Sequence, residues 1–341
     1  MVLWDYIDIV YNIRYDNSEL FRIQIENSLF VESTVKQNDE EYLEGIMNYD
    51  YLVEGVFCYM IIGEKNCLIC GGGLKVSHLG KGILECRNCG FFTTNEELST
   101  DELIKLYSED YFHGEEYADY TSDEGIITHN FEKRLKKMKH YLLSHESIFE
   151  IGCAYGFFLK VASKIFDEVE GIDISEDAVK YAREVIGVNA ISGNYLEYKC
   201  EKLFDCICMW DVIEHLTHPA DFINHAYVHQ KKGGIICITT GDVGSINAKL
   251  RGAKWRQVHP PTHLHYFDKR TITMLLQKIG YKVENISYPS NIISLKTVLY
   301  TVFCLKHNWK KLYFVLEKIG LTKINISFNL HDYMFVIARK Q

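Results

Sequence analysis

No uninterrupted apolar stretch in this 341-residue chain approaches the roughly 20 residues that a membrane helix needs. The opening segment, MVLWDYIDIVYNIRYD, carries acids where a signal peptide would need a basic flank and an apolar block. The expected location is therefore cytoplasmic. No internal repeat or low-complexity tract is visible. Positive charge is not in excess either: the net charge is −9, and residues 1–60 hold 12 acids against 3 bases, while the rest of the chain carries 34 of each. An acidic leader and a neutral body argue against a chain that grips nucleic acid by counterion release. Proline is scarce, with four residues, two of them adjacent at Pro260 and Pro261. Cysteine is not scarce. Eleven is an odd number, however, and the chain is neither short nor secretory in pattern, so no disulfide framework is expected.

The length fits two domains, or one with additions, and 47% hydrophobic residues allow a sizeable core. Residues 1–62 form a small acidic N-terminal region with strand-like alternation in LFRIQIENSLFVE and a more helical DEEYLEGIMNYDYLVEGVF. Residues 63–97 are a compact cysteine unit. A helical connector over 98–146 contains STDELIKLY and the basic amphipathic THNFEKRLKKMKHYLL, whose charges read as a solvated face. From 147 to 341, short apolar strands (SIFEI, EVEGIDI, NAISG, FDCICMW, GGIICITT, YKVENISY) alternate with helical segments. This alternation predicts an α/β domain: a Rossmann-like, doubly wound, mostly parallel seven-stranded sheet covered on both faces. A helical insert at about 291–320 precedes the last strand, DYMFVIARK.

The first strand of that domain ends in Glu150 and runs into Gly152-Cys153-Ala154-Tyr155-Gly156 before an amphipathic helix begins. A dinucleotide site wants G-x-G-x-x-G so that backbone can approach a pyrophosphate. Here Ala154 takes the middle glycine position, and a carboxylate precedes the turn. A glutamate beside a pyrophosphate would be repelled; beside an ammonium group it is attracted. S-adenosylmethionine has no phosphate and does carry an α-amino group and a sulfonium. Asp173, 23 residues after Glu150 and at the end of the next strand, suits the two ribose hydroxyls.

From Ile148 to Tyr288 the chain resembles class I S-adenosylmethionine-dependent methyltransferases, on the glycine turn, the acid of GIDIS and the block FDCICMWDVIEHLTHP. By that resemblance Glu150, Gly152, Cys153 and Gly156 line the methionine end of the cofactor. Asp173 takes the ribose and Ile174 packs on adenine, with Asn194 and Tyr195 near the adenine edge; Asp211, after the fourth strand, is a further cofactor-binding residue. The family often has Asp where this chain has Asn194.

Cys67-x2-Cys70 and Cys86-x2-Cys89, separated by fifteen residues, have zinc-ribbon spacing, and each knuckle is followed by Gly71 or Gly90. Four thiolates would close a tetrahedron around one structural Zn2+ and leave no open position. The remaining seven cysteines fall mainly in strand patterns and read as small buried residues. With the following LSTDELIKLYSEDYF, this front end resembles methyltransferases of surface-glycan and sugar-modification pathways that carry a zinc module before the catalytic domain.

Two loops at the expected substrate edge are rich in histidine. One carries Asp211, Glu214, His215 and His218; the other, WRQVHPPTHLHYF, carries His259, His263 and His265 beside the proline pair. Three readings stand. The residues can be structural, with Glu214 and His215 at a helix start. His215 or His265 can be a general base, since imidazole titrates near neutrality. Or Asp211, Glu214, His215 and His265 can bind a divalent cation, by similarity to methyltransferases with an E-x-x-E-H set and a later histidine. The expected activity is methyl transfer to a hydroxyl of a sugar, nucleotide-sugar or glycan precursor. An RNA modifier that grips through the ribbon and a non-catalytic cofactor-binding scaffold are the alternatives.

Overall fold

The structure is a computed structural model that describes residues 21–25, 29–33, 66–94, 123–306 and 309–341. The rest of the acidic N-terminal region and the connector segment STDELIKLYSEDYFHGEEYADY lie outside the described residues. The chain divides into two units, Met1–Met60 and Ile61–Gln341. In the first, β1 (Phe21–Ile25) and β2 (Leu29–Ser33) form an antiparallel hairpin within the stretch whose alternation reads as strand.

In the second unit, a four-stranded sheet comes first: β3 (Leu74–Val76), β4 (Ile83–Cys86) and β5 (Phe92–Thr94), joined at its far edge by β11 (His265–Tyr266) from much later in the chain. The main sheet is built from β6 (Ser147–Ile151), β7 (Glu168–Asp173), β8 (Asn189–Ser192), β9 (Phe204–Trp210), β10 (Gln230–Gly241), β12 (Tyr281–Ser287) and β15 (Tyr333–Lys340). Its order is β12-β15-β10-β9-β6-β7-β8. The pairs β8/β7, β7/β6, β6/β9 and β9/β10 are parallel, and β15 alone runs against both its neighbours. The helices are α1 (Glu124–Met138), α2 (Phe157–Ala162), α3 (Glu176–Tyr181), α4 (Pro219–Val228), α5 (Ile246–Arg251), α6 (Lys269–Ile279), α7 (Leu295–Leu299) and α8 (Lys310–Lys318).

The sheet is buried on both faces, so its strands read as continuous apolar runs: every residue of β6 and β9 is buried. Alternation then sorts side chains between two cores. Phe149, Ile207, Met209, Ile236 and Val336 point to one side, with Ile223 of α4 and Ile272, Leu275 and Leu276 of α6. Ile148, Cys206, Cys208, Cys237 and Phe335 point to the other, with Phe131 and Leu135 of α1 and Phe157 and Phe158 of α2. The first core continues into the cysteine unit through Ile69, Leu84 and Phe91, so that unit and the α/β domain share one hydrophobic interior. Two elements were not apparent in the sequence. One is β11, only two residues long. The other is the pair β13 (Asn291–Ser294) and β14 (Asn325–Phe328), which makes the insert a mixed unit rather than a purely helical one.

Candidate functional site

Because β6, β7, β9 and β10 are parallel, their C-terminal ends meet at one sheet edge, where open α/β sheets bind ligands. The turn after β6 places Gly152 at φ +75° and Gly156 at φ +76°, conformations that exclude most side chains. A Cβ on Gly152 would also lie 2.4 Å from Cγ2 of Val212. Between them, Ala154 has φ +42° and donates its N–H to Oδ2 of Asp173 at 2.8 Å. The Ser175 N–H reaches Oδ1 at 2.9 Å. Each Asp173 oxygen thus accepts from a backbone N–H, and the lone pairs that remain can serve a vicinal diol. Burial raises the Asp173 pKa, and the N–H donors of Ser175 and Ala154 oppose that rise.

Glu150 is buried, and its Oε2 has no hydrogen-bond partner among the described residues. Burial, then the charge of Asp173, pushes its carboxyl well above the ordinary value, while Arg134 pulls it back. A buried carboxylate oxygen in this state calls for a cationic or donating ligand. The residues therefore fit a cofactor with an ammonium group and a ribose. Cys153 is buried beneath the turn, and Ile174 is half-buried beside Asp173. Asn194 uses its side-chain oxygen to cap the Leu196 N–H at 3.1 Å. Tyr195 lies in the core, with its ring 5.5 Å from Phe149 and 4.8 Å from His225.

Asp211 follows β9 at φ +57°, and its Oδ1 accepts from the hydroxyls of Thr239, at 3.3 Å, and Tyr333. Tyr333 in turn accepts from Nη2 of Arg134 at 3.3 Å. Arg134 is buried, with its guanidinium 5.2 to 5.6 Å from the ring centroids of Phe131, Trp210 and Tyr333. The amphipathic pattern of α1 predicts a solvated charged face, and Glu132, Lys133 and Lys136 are exposed. Arg134 is the exception, and no local pattern marks it.

After β9 and β10, Glu214, His215 and His263 come together, with one ligand atom of each within 4.8 Å of the others. The His215 and His263 rings cross at 84° with centroids 4.6 Å apart. His215 Nδ1 lies 2.7 Å from the Thr262 carbonyl and His263 Nδ1 2.9 Å from the Gln257 carbonyl. A carbonyl can only accept, so each proton is assigned to Nδ1 and each Nε2 carries the lone pair. Burial lowers the pKa of both imidazoles. Glu214 is pushed up to about 8 by burial and by the charge of Asp211.

His265 is placed elsewhere. It is buried in β11, pairs with Thr93 of β5, and has Nδ1 3.0 Å from the Thr93 hydroxyl and its ring stacked on Phe91 at 5.6 Å. Burial lowers its pKa to about 4. The later histidine that joins Glu214 and His215 is therefore His263, two residues earlier.

The four cysteines of the ribbon spacing also converge: all four Sγ atoms lie within 4.8 Å of one another, with Cys67–Cys89 and Cys70–Cys86 each at 3.5 Å. A tetrahedron of Zn–S bonds of about 2.3 Å has edges of about 3.8 Å, so the cluster fits one zinc ion. Gly71 and Gly90 take positive φ at the two knuckles. Burial opposes ionisation of Cys86, but the N–H groups of Cys89 and Asn88, with the neighbouring thiols, outweigh it and bring the pKa down to about 7.

Residues 125–286 match a family model described as a methyltransferase domain. With the sheet order above, this identifies the α/β unit as a class I methyltransferase domain. The chain is 23% identical over 168 residues to a probable S-adenosylmethionine-dependent methyltransferase of Mycolicibacterium smegmatis, covering 47% of this chain and 63% of that protein. It is 27% identical over 157 residues to a mitochondrial ubiquinone biosynthesis O-methyltransferase of Dictyostelium discoideum, covering 40% of this chain and 49% of that one. The chain thus spans between about half and 63% of the length of these two relatives. Among solved structures, a magnesium protoporphyrin IX methyltransferase of Synechocystis with bound SAH has a TM-score of 0.46 at 11% identity, covering 71% of this chain and 100% of that one.

Proposed function

We propose that this chain transfers the methyl group of S-adenosylmethionine to a hydroxyl of a sugar, nucleotide-sugar or glycan precursor. S-adenosylmethionine would supply a methyl carbon already activated by its sulfonium. The chain's residues hold and orient the partners: Glu150 faces the ammonium, Asp173 the ribose diol, and Asn194 the adenine edge. The observation that carries the reading is the convergence of Glu214, His215 and His263 at the same sheet edge as Glu150 and Asp173. A neutral imidazole whose Nε2 bears the lone pair can take the proton of an acceptor hydroxyl as its oxygen attacks in line. The O-methyltransferase activity in the name of the Dictyostelium relative supports an oxygen acceptor. The sugar class rests on the resemblance of the ribbon and the following segment LSTDELIKLYSEDYF to glycan-pathway enzymes.

The same cluster supports a second reading, a divalent cation held by Glu214, His215 and His263. Two imidazole nitrogens with Nδ1–H tethered to carbonyls, plus one carboxylate, form a metal-ligating set with oriented ligands. Such an ion would acidify a bound hydroxyl, as a vicinal diol requires. The test is transfer from labelled cofactor to nucleotide-sugars, extracted lipids and RNA, with and without chelator. Label in a sugar hydroxyl is the expected result. Label in RNA alone would overturn the reading.

A further inference from the structure

The insert between β12 and β15 differs in composition from the rest of the chain. Residues 291–330 contain six lysines and a single acid, Glu317, in a protein whose net charge is −9. Within it, α8 buries only Tyr313. Leu312, Val315 and Ile319, spaced i, i+3 and i+7 on one stripe, face solvent together with Trp309 and Phe314. Four of these five, Trp309, Phe314, Val315 and Ile319, expose more than half of their surface. All four residues of β14 are exposed as well, which adds Ile326 and Phe328 to the apolar area. Lys311 and Lys318 are exposed beside the stripe, Lys310 is exposed at the start of the helix, and Lys296 is exposed on α7. An apolar area of this kind on a soluble fold marks an interaction surface.

The geometry points to one occupant, and we propose that α8 and β14 form a docking surface for an anionic lipid membrane. An exposed Leu, Val and Ile stripe on a short helix, with Trp309 at its N-terminal end and Lys311 and Lys318 alongside, is the composition of a helix that lies in a bilayer interface. A second copy of the chain is disfavoured as the occupant, because a symmetric contact would set two lysine-rich surfaces against each other. No helix among the described residues is long and apolar enough to cross a membrane. The insert is also fixed to the body: the Asn130 side chain of α1 both donates to and accepts from the backbone of Ile292, at 2.8 and 2.9 Å. It leaves from the end of β12 that lies at the same sheet edge as Glu150 and Asp173. Docking would therefore bring the acceptor-facing edge of the catalytic domain to the lipid surface.

Sedimentation of the full chain with sucrose-loaded vesicles tests this. Binding is expected to vesicles of phosphatidylcholine and phosphatidylglycerol at a roughly 2:1 ratio, to fall steeply with added salt, and to be weak to phosphatidylcholine alone. The combined variant Lys310→Glu, Lys311→Glu, Lys318→Glu should weaken binding by more than about 100-fold, since each lysine near an anionic surface contributes roughly fivefold. Leu312→Ser with Ile319→Ser should weaken binding to the same vesicles at high salt, where charge is screened. These are surface positions, so the circular dichroism spectrum should match wild type, and Trp309→Phe should remove any vesicle-induced blue shift of fluorescence while binding persists. Absence of binding to anionic vesicles would overturn the proposal. So would binding that the lysine variant does not change, or a dimer in solution that the Leu312 and Ile319 substitutions dissociate.

Discussion

The Thr93 hydroxyl lies 3.0 Å from Nδ1 of His265, joining the cysteine unit to the histidine-bearing loop across 172 residues of sequence. Two further bonds reinforce the join: Arg270 Nη2 donates to the Cys89 carbonyl, and Lys278 Nζ donates to the Ile69 carbonyl at 3.0 Å. The module is thus an edge of the same structure that presents His263. Cys89→Ser should release zinc and loosen β11 together with β3–β5, because structural zinc contributes folding free energy directly. Metal analysis with thermal melting checks this, and native protein without tightly held zinc would refute it. Thr93→Val should cost about 1–3 kcal/mol, since a buried imidazole nitrogen then loses its partner.

His265 also sets a pH dependence. Its pKa is brought down to about 4 by burial, against about 6.5 in an unfolded chain. The unfolded state therefore binds more protons between these values. The stability contribution is complete above about pH 6.5 and lost as pH falls toward 4, by up to about 3 kcal/mol. His215 and His263, also lowered by burial, act in the same direction. Denaturant titrations at pH 7 and pH 5 should show a smaller loss for His265→Gln than for wild type. Equal losses would count against burial of a neutral ring.

Asp173→Ala should weaken S-adenosylmethionine binding roughly 10- to 150-fold, because the ribose hydroxyls lose a charge-assisted acceptor worth about 1.5–3 kcal/mol. The Ala154 and Ser175 N–H groups lose theirs too. Glu150→Gln keeps the shape and removes the charge, so it should weaken binding of the ammonium-bearing cofactor more than binding of an analogue lacking the amino group. Calorimetry on both variants reads these effects, and unchanged affinities would undo the cofactor assignment.

Glu214→Gln, His215→Ala and His263→Ala should each lower turnover by about 10²–10⁴-fold if the cluster supplies the base or positions it. If the cluster binds a cation, all three should also lose Mn2+ affinity in zinc-loaded protein. His265→Ala should keep that affinity, because His265 sits in the ribbon sheet. Manganese titration followed by electron paramagnetic resonance separates the two cases. An equal loss in His265→Ala would reverse the placement of the two histidines.

Tyr333→Phe removes the hydroxyl that links Arg134 to Asp211. A buried guanidinium and a carboxylate would each lose a partner, at a cost of about 1–3 kcal/mol. Denaturant unfolding should register that loss, and Arg134→Leu should be less additive with it than two distant substitutions would be. Full additivity would show that the three residues do not act as one network.

The strands, the glycine turn, Asp173 and the cysteine knuckles could be read directly, because each depends on residues a few positions apart. A strand that is buried on both faces has to be apolar throughout, and a turn at positive φ has to carry glycine at Gly152 and Gly156. Two knuckles of Cys-x2-Cys bring their own sulfurs together. What the tertiary structure decided is which distant side chains meet. His215 finds the Thr262 carbonyl 47 residues away, and Arg134 finds Tyr333 199 residues away. WRQVHPPTHLHYF offers three histidines with no periodicity to rank them. Pairing of β11 with β5 buries His265 and leaves His263 beside Glu214. Tyr195 went to the core because aromatic rings from β6 and α4 surround it. Such contacts follow from sheet order and packing across the whole chain, which local spacing does not encode.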